Sequence, residues 1–215
     1  MKIAILTTAR SGSTSLYHLI EETLIGKKYV CVSEPFNFYW RNISGLNTYD
    51  VDFLENKKNV FVKTFVSKSQ IPKKYANNES DYWDWFFDYF DKVIILDRKD
   101  KDLQSESLTY HMKMGELANW HKKQYYSFSK IKKEEIDYTK SILIEDSKKK
   151  HEFSKMGYPI FYFEDIFIDK NKETVLKLFE YIDLELRDDL YEKYINSDFF
   201  KVRMNKNENR FNSLI

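Results

Sequence analysis

Five short runs of apolar, β-branched or aromatic residues divide the sequence, each closed by a polar break. They are Lys2–Thr8, Tyr29–Ser33, Asn59–Val66, Lys92–Asp97 and Pro159–Phe163, and each reads as a buried strand. Helical spacing fills the intervals. Leu16, Leu19, Ile20, Thr23 and Leu24 make one apolar stripe, and Val175, Leu176, Leu178, Phe179 and Ile182 make another. Tyr82–Phe90 is so aromatic that it should wedge into the core on most sides. Strands alternating with helices predict an α/β fold with a mainly parallel central sheet flanked by helices. Ligands of such sheets bind at the carboxyl ends of the strands. The stretch Asp100–Met156 has no clear strand and should hold two or three helices in succession, with Lys148-Lys149-Lys150 as a solvated face. Neither a repeat nor a linker is visible, so residues 1–215 are expected to form a single domain.

Charge narrows the partners. The 35 basic and 34 acidic residues leave a net charge of +1, which argues against a general nucleic-acid binder. A local anion pocket remains compatible with that balance. A single cysteine, Cys31, excludes an internal disulfide and gives no sign of an oxidising compartment. The apolar run Met1–Leu6 is too short for a signal peptide or a membrane span. Without a secretory route the acceptor patterns at Asn42 and Asn78 carry no weight, and the expected location is cytoplasmic.

The strongest local pattern is Thr7-Thr8-Ala9-Arg10-Ser11-Gly12-Ser13-Thr14-Ser15-Leu16, between the first strand and the first helix. Gly12 would permit a turn close to a ligand, and Ser13 or Thr14 could cap the helix. Free N–H groups and the positive dipole end at a helix start attract anions. Hydroxyls of Ser11, Ser13, Thr14 and Ser15 would add donors, and Arg10 a permanent charge in fork geometry. An ordinary capped helix fits the same pattern. The loop is not a Walker A motif, because it lacks both the earlier glycine and the lysine after Gly12.

The wording T-x-R-S-G-S-T-x-L after an N-terminal strand resembles the 5′-phosphosulfate loop of sulfotransferases that use 3′-phosphoadenosine 5′-phosphosulfate (PAPS). Lys92–Arg98 resembles the strand that ends in the arginine of that family's 3′-phosphate motif. Its continuation, Arg98-Lys99-Asp100-Lys101-Asp102-Leu103-Gln104-Ser105-Glu106-Ser107-Leu108, is similar to the bacterial trehalose-type branch, which carries a downstream tryptophan, here Trp120. Phe61-Val62-Lys63 and Phe163-Glu164-Asp165-Ile166 resemble two further pieces of that branch, in order. The resemblance implies a P-loop-NTPase-like sulfotransferase fold, PAPS as the sulfuryl donor and a small hydroxyl acceptor, a carbohydrate in that branch. Carried over, Arg10, Ser11, Gly12, Ser13 and Thr14 would hold the 5′-phosphosulfate. Arg98 and a helix serine would hold the 3′-phosphate, with Ser107 the first choice and Ser105 the second. These serines point roughly 200° apart on a helix, so they are not interchangeable. Two positions depart from the family. Ala9 stands where a proline is usual, and Asp97 stands where the branch carries a basic residue. Asp97 would either pair with Arg98 and weaken its grip on phosphate or face away along the strand.

Sulfuryl transfer needs a base for the acceptor hydroxyl, in-line geometry and neutralisation of the leaving phosphate. Glu34, after the second strand, matches the branch's general base. Burial near Phe36 and Tyr39 would have to raise its pKa for that role. His111 is the rival base, with His18 and His121 behind it. Arg10 and Lys63 are the candidates for neutralising the leaving group, and Trp120 for lining an acceptor pocket. The basic tail Lys201, Arg203, Lys206 and Arg210 either closes over a nucleotide or frays into solvent. No metal-ligand spacing is present. Two other readings stay open: an ATP-dependent phosphotransferase, and a non-catalytic module that keeps the nucleotide fold as scaffold.

Overall fold

The computed structural model describes residues 1–37, 51–117 and 131–196. Its centre is a five-stranded sheet built from β1 (Lys2–Thr7), β2 (Val30–Ser33), β3 (Val60–Phe65), β4 (Lys92–Asp97) and β5 (Ile160–Tyr162). All strand pairs are parallel and the order is β2-β3-β1-β4-β5. Every predicted run is therefore a strand. The helices are α1 (Ser13–Thr23), α2 (Val51–Glu55), α3 (Glu79–Tyr89), α4 (Lys101–Leu117), α5 (Lys133–Lys155), α6 (Lys172–Tyr181) and α7 (Asp188–Tyr191). π-helical turns at Glu164–Ile168 and Glu192–Asn196 follow β5 and α7. Helices α4 and α5 occupy the described parts of the stretch Asp100–Met156 and pack against each other. Among the described residues no helix is long and apolar enough to cross a membrane.

Strand alternation divides the interior into two cores. Ile3 and Ile5 of β1 join Phe61, Ile94 and Leu96 under α1, α6 and α7. Ala4 and Leu6 join Val60, Val62, Val93 and Ile95 on the opposite face, against α2, α3 and Phe153 of α5. Helix α3 buries Tyr82, Trp83, Phe86 and Tyr89, and its wet strip is Asp81, Asp84 and Asp88. The α1 stripe is buried in full.

Two expectations fail. Leu176 is 47% exposed while Val175, Leu178, Phe179 and Ile182 are buried. At about 100° per residue Leu176 falls outside the arc its neighbours share. Lys150 is not solvated but fully buried. It lies seven positions after Leu143 and three before Phe153, so it belongs to the inward face of α5. Lys148 is exposed, and Lys149 covers the Trp83 ring at 4.7 Å and meets the Glu79 carboxylate.

Topology also sets where a ligand fits. The chain leaves β1 through α1 over one face to reach β2, then returns by way of α2 and α3 over the other face. Right-handed crossovers in opposite directions must use opposite faces. The segments leaving β1 and its neighbours therefore diverge at the carboxyl edge, and the crevice opens beside β1. Phe179→Ala is expected to cost about 3–5 kcal/mol, whereas Leu176→Ala should stay within about 0.5 kcal/mol of the parent. Urea unfolding of the two variants checks the contrast.

Candidate functional site

The loop from β1 to α1 has its oxygens turned inward. The Thr8 carbonyl accepts from Ser11 Oγ at 2.7 Å, the Ala9 carbonyl from Gln104 Nε2 at 2.8 Å, and the Arg10 carbonyl from Arg98 Nη1 at 3.3 Å. Helix α1 begins after Gly12, whose φ of 75° is left-handed, and no side chain caps it. Ser13 and Thr14 are thus helical residues, not caps as expected. The Ser15 and Leu16 N–H groups donate to the Gly12 carbonyl. Those of Ser13 and Thr14 have no acceptor among the described residues. Open donors of this kind are what an anion requires.

Gly12 is needed for packing as well. A Cβ there would sit 2.6 Å from Phe163 Cδ2 and 2.7 Å from Phe167 Cε2. The close approach expected of a ligand is made on this side by two phenyl rings. Ser11 is buried and its hydroxyl serves the loop, bonded also to Thr7 Oγ1 at 2.5 Å. Ser13 is buried, Ser15 half-buried and Thr14 exposed.

Arg10 and Arg98 meet at this loop. Arg10 is exposed, in a left-handed conformation (φ 62°), and donates from Nε to Ser107 Oγ at 2.9 Å. Ser105 is buried and spends its hydroxyl on the Asp102 carbonyl at 2.8 Å. Of the two candidate serines, the one beside Arg10 is Ser107. Arg98 follows the parity of Ile94 and Leu96, so its guanidinium lies 4.7 Å above the Phe163 ring on the α1 side. Burial pulls the guanidinium below its ordinary pKa, with Glu164 and Asp100 opposing. Glu164 Oε1 is 3.8 Å from Arg98 Nε. That carboxylate also accepts the Lys99 and Asp100 N–H groups at 2.9 and 3.0 Å, and Asp100 Oδ1 caps Leu103 N at 2.9 Å. Glu164 therefore shapes the turn that carries Arg98. Its sequence signal was only the position of the acid after β5.

Asp97 pairs with neither Arg98 nor solvent. Strand alternation sends it to the α5 side, where Lys150 Nζ lies 2.5 Å and Lys101 Nζ 2.7 Å from Oδ1, and Ser147 Oγ donates to Oδ2 at 2.5 Å. Burial alone would raise the Asp97 carboxyl, but Lys150 and the hydrogen bonds from Lys101, Lys150 and Ser147 hold it down at about 2. The fear that Asp97 drains charge from Arg98 is thus removed.

Glu34 follows β2 in a left-handed conformation (φ 52°). Its Oε1 lies 2.9 Å from Lys63 Nζ, and its Oε2 accepts Asn37 Nδ2 at 2.8 Å. Lys63 is buried at the end of β3 and also donates to Thr14 Oγ1 at 3.4 Å. It links the base candidate to the start of α1. Phe36 is buried, and Tyr39 lies outside the described residues. His111 is exposed on α4, and His18 pairs with Glu21 on the outer face of α1. Trp120, His121, Lys201, Arg203, Lys206 and Arg210 lie outside the described residues. Among the described residues no three His, Cys, Asp or Glu side chains gather as a metal site would need.

No protein-family model matches the chain, and no curated protein is significantly similar to it. The assignment of function therefore rests on residues and geometry.

Asp97→Asn would leave Lys150 and Lys101 without their shared counter-charge and should cost about 3–5 kcal/mol at neutral pH. The folded carboxyl sits below its unfolded value of about 3.9. The stability it contributes is therefore present above that pH and lost as pH falls toward about 2. Acid titration of unfolding should show a step over this window in the parent that is smaller in the variant.

Proposed function

We propose that this protein is a PAPS-dependent sulfotransferase acting on a hydroxyl of a small acceptor, a carbohydrate by the branch it resembles, on a P-loop-like nucleotide fold. One observation carries the reading. Arg10 from the first motif and Ser107 from the second are hydrogen-bonded at the carboxyl edge, with Arg98 directly beneath. Two segments nearly a hundred residues apart, each resembling one half of a nucleotide site, come together there. A parallel sheet with the loop leaving its central strand supports it further.

The donor set suits a nucleotide with anionic groups at its 5′ and 3′ positions. The Ser13 and Thr14 N–H groups, with Ser11, Gly12 and Ser15 around them, would take the 5′-phosphosulfate, and Arg10 its charge. Among the described residues the Arg98 guanidinium makes one hydrogen bond, from Nη1, and its buried Nε faces Glu164 at 3.8 Å. Arg98 Nη2, with Ser107, would suit the 3′-phosphate. PAPS, when bound, supplies an activated sulfuryl group. Glu34 would accept the proton of the acceptor hydroxyl, its carboxylate plane fixed by Lys63 on one oxygen and Asn37 on the other. Lys63 holds Glu34 and Thr14 together and would place positive charge between base and loop.

Adenosine 3′,5′-bisphosphate at a hundred times its dissociation constant should stabilise the protein by about 2.7 kcal/mol in a thermal shift. A shift with ATP and magnesium but not with the bisphosphate would replace this reading with an ATP-dependent phosphotransferase. Glu34→Gln should lower turnover on a hydroxyl acceptor by about 10²–10⁴-fold while leaving bisphosphate binding intact. Binding without turnover on a broad hydroxyl panel would instead indicate a non-catalytic module.

A further inference from the structure

Lys150 is the least expected residue beneath the site. Its ammonium spends all three donors inside the protein, on Asp97 Oδ1 at 2.5 Å, Thr8 Oγ1 at 3.1 Å and the Leu96 carbonyl at 3.4 Å. Burial lowers its pKa against the pull of Asp97. A buried ion pair rarely stabilises more than apolar residues of the same size would, so core stability alone does not account for this one. What distinguishes the pair is its third partner, the phosphate-type loop.

Thr8 is buried and receives two donors on one hydroxyl oxygen, Lys150 Nζ and Gln104 Nε2, each at 3.1 Å. Gln104 is buried too and holds the Ala9 carbonyl with the same nitrogen. Its Oε1 in turn accepts from Lys101 Nζ at 3.4 Å, and Lys101 also meets Asp97 and the Arg98 carbonyl. Helices α4 and α5 thus grip the loop from below through a closed polar network. Two ammonium groups share Asp97, with Asp146 near enough to oppose them.

We infer that Lys150 is a positioning residue: anchored on Asp97 and acting with Gln104, it fixes Thr8 and Ala9 so that the loop's oxygens point inward and its amides outward. That the outward amides receive an anion rests on the function proposed above.

The test uses the ¹⁵N-labelled full chain with Thr8→Val, Lys150→Met and the double variant. Thr8→Val removes the hydroxyl and keeps the Lys150–Asp97 pair, so it remains informative if Lys150→Met does not fold. Both single variants should move the amide resonances of Arg10–Thr14 while those of α6 stay in place. Each should weaken adenosine 3′,5′-bisphosphate about tenfold, the factor of about 1.4 kcal/mol expected of one buried hydrogen bond. The double variant should bind little worse than either single one, since both single changes already break the Lys150–Thr8 bond through which Lys150 reaches the loop. Loop amides unmoved by Thr8→Val, or losses that simply add, would overturn the inference. Should the loop amides move while the parent binds no bisphosphate, the positioning role stands and the proposed function falls.

Discussion

At the end of β4 the chain sets two opposite charges side by side in sequence and sends them to opposite faces of the sheet. Asp97 drops to the α5 side and is neutralised by Lys150 and Lys101. Arg98 rises to the α1 side, above Phe163 and beneath the Arg10 carbonyl. Had both turned the same way they would have cancelled each other. The two-residue period of a strand is what keeps the guanidinium available. The rest of the site is assembled around this division. Glu164 shapes the turn that carries Arg98, Gln104 reaches the loop from α4, and Ser107 meets Arg10 on the same helix.

On the other side of β1 a second polar connection repeats the logic with different groups. Lys63 is buried at the end of β3, yet it spans from Glu34 to Thr14. Its parity matches Phe61, so it lies under α1 with the apolar core behind it. A carboxylate and a helix start, brought by separate strands, are thereby held in fixed relation by one ammonium.

The strands were legible because each is a short apolar run closed by a polar break; the central β1, β3 and β4 are buried almost throughout, while the outer β2 and β5 are mostly half-buried. The motif residues Arg10, Arg98 and Ser107 were legible as types; helix geometry says only that Ser107 and Ser105 are not interchangeable, and the preference for Ser107 comes from the branch the segment resembles. What was not legible depended on distant partners. Lys150 reads as part of a charged run until Asp97, 53 residues earlier, is known to face it. Glu164 looks like one more surface acid until the Lys99 and Asp100 amides meet it. Leu176 was misread for a simpler reason: apolar identity was allowed to outweigh its angle on the helix. Gly12 was assigned a turn, correctly, but the two phenyl rings against it come from a segment about 150 residues away.

Those rings have an electrical effect besides filling space. Phe163 and Phe167 are buried and press against Gly12, the residue that opens α1, so hydrocarbon rather than water backs this end of the helix. Dipoles backed by hydrocarbon are poorly shielded on that side, so their field is directed toward the open crevice. Dissolved ions can screen the front of such a seat but not its back. The aromatic layer serves as an insulator, and the helix end behaves as a terminal with one live face.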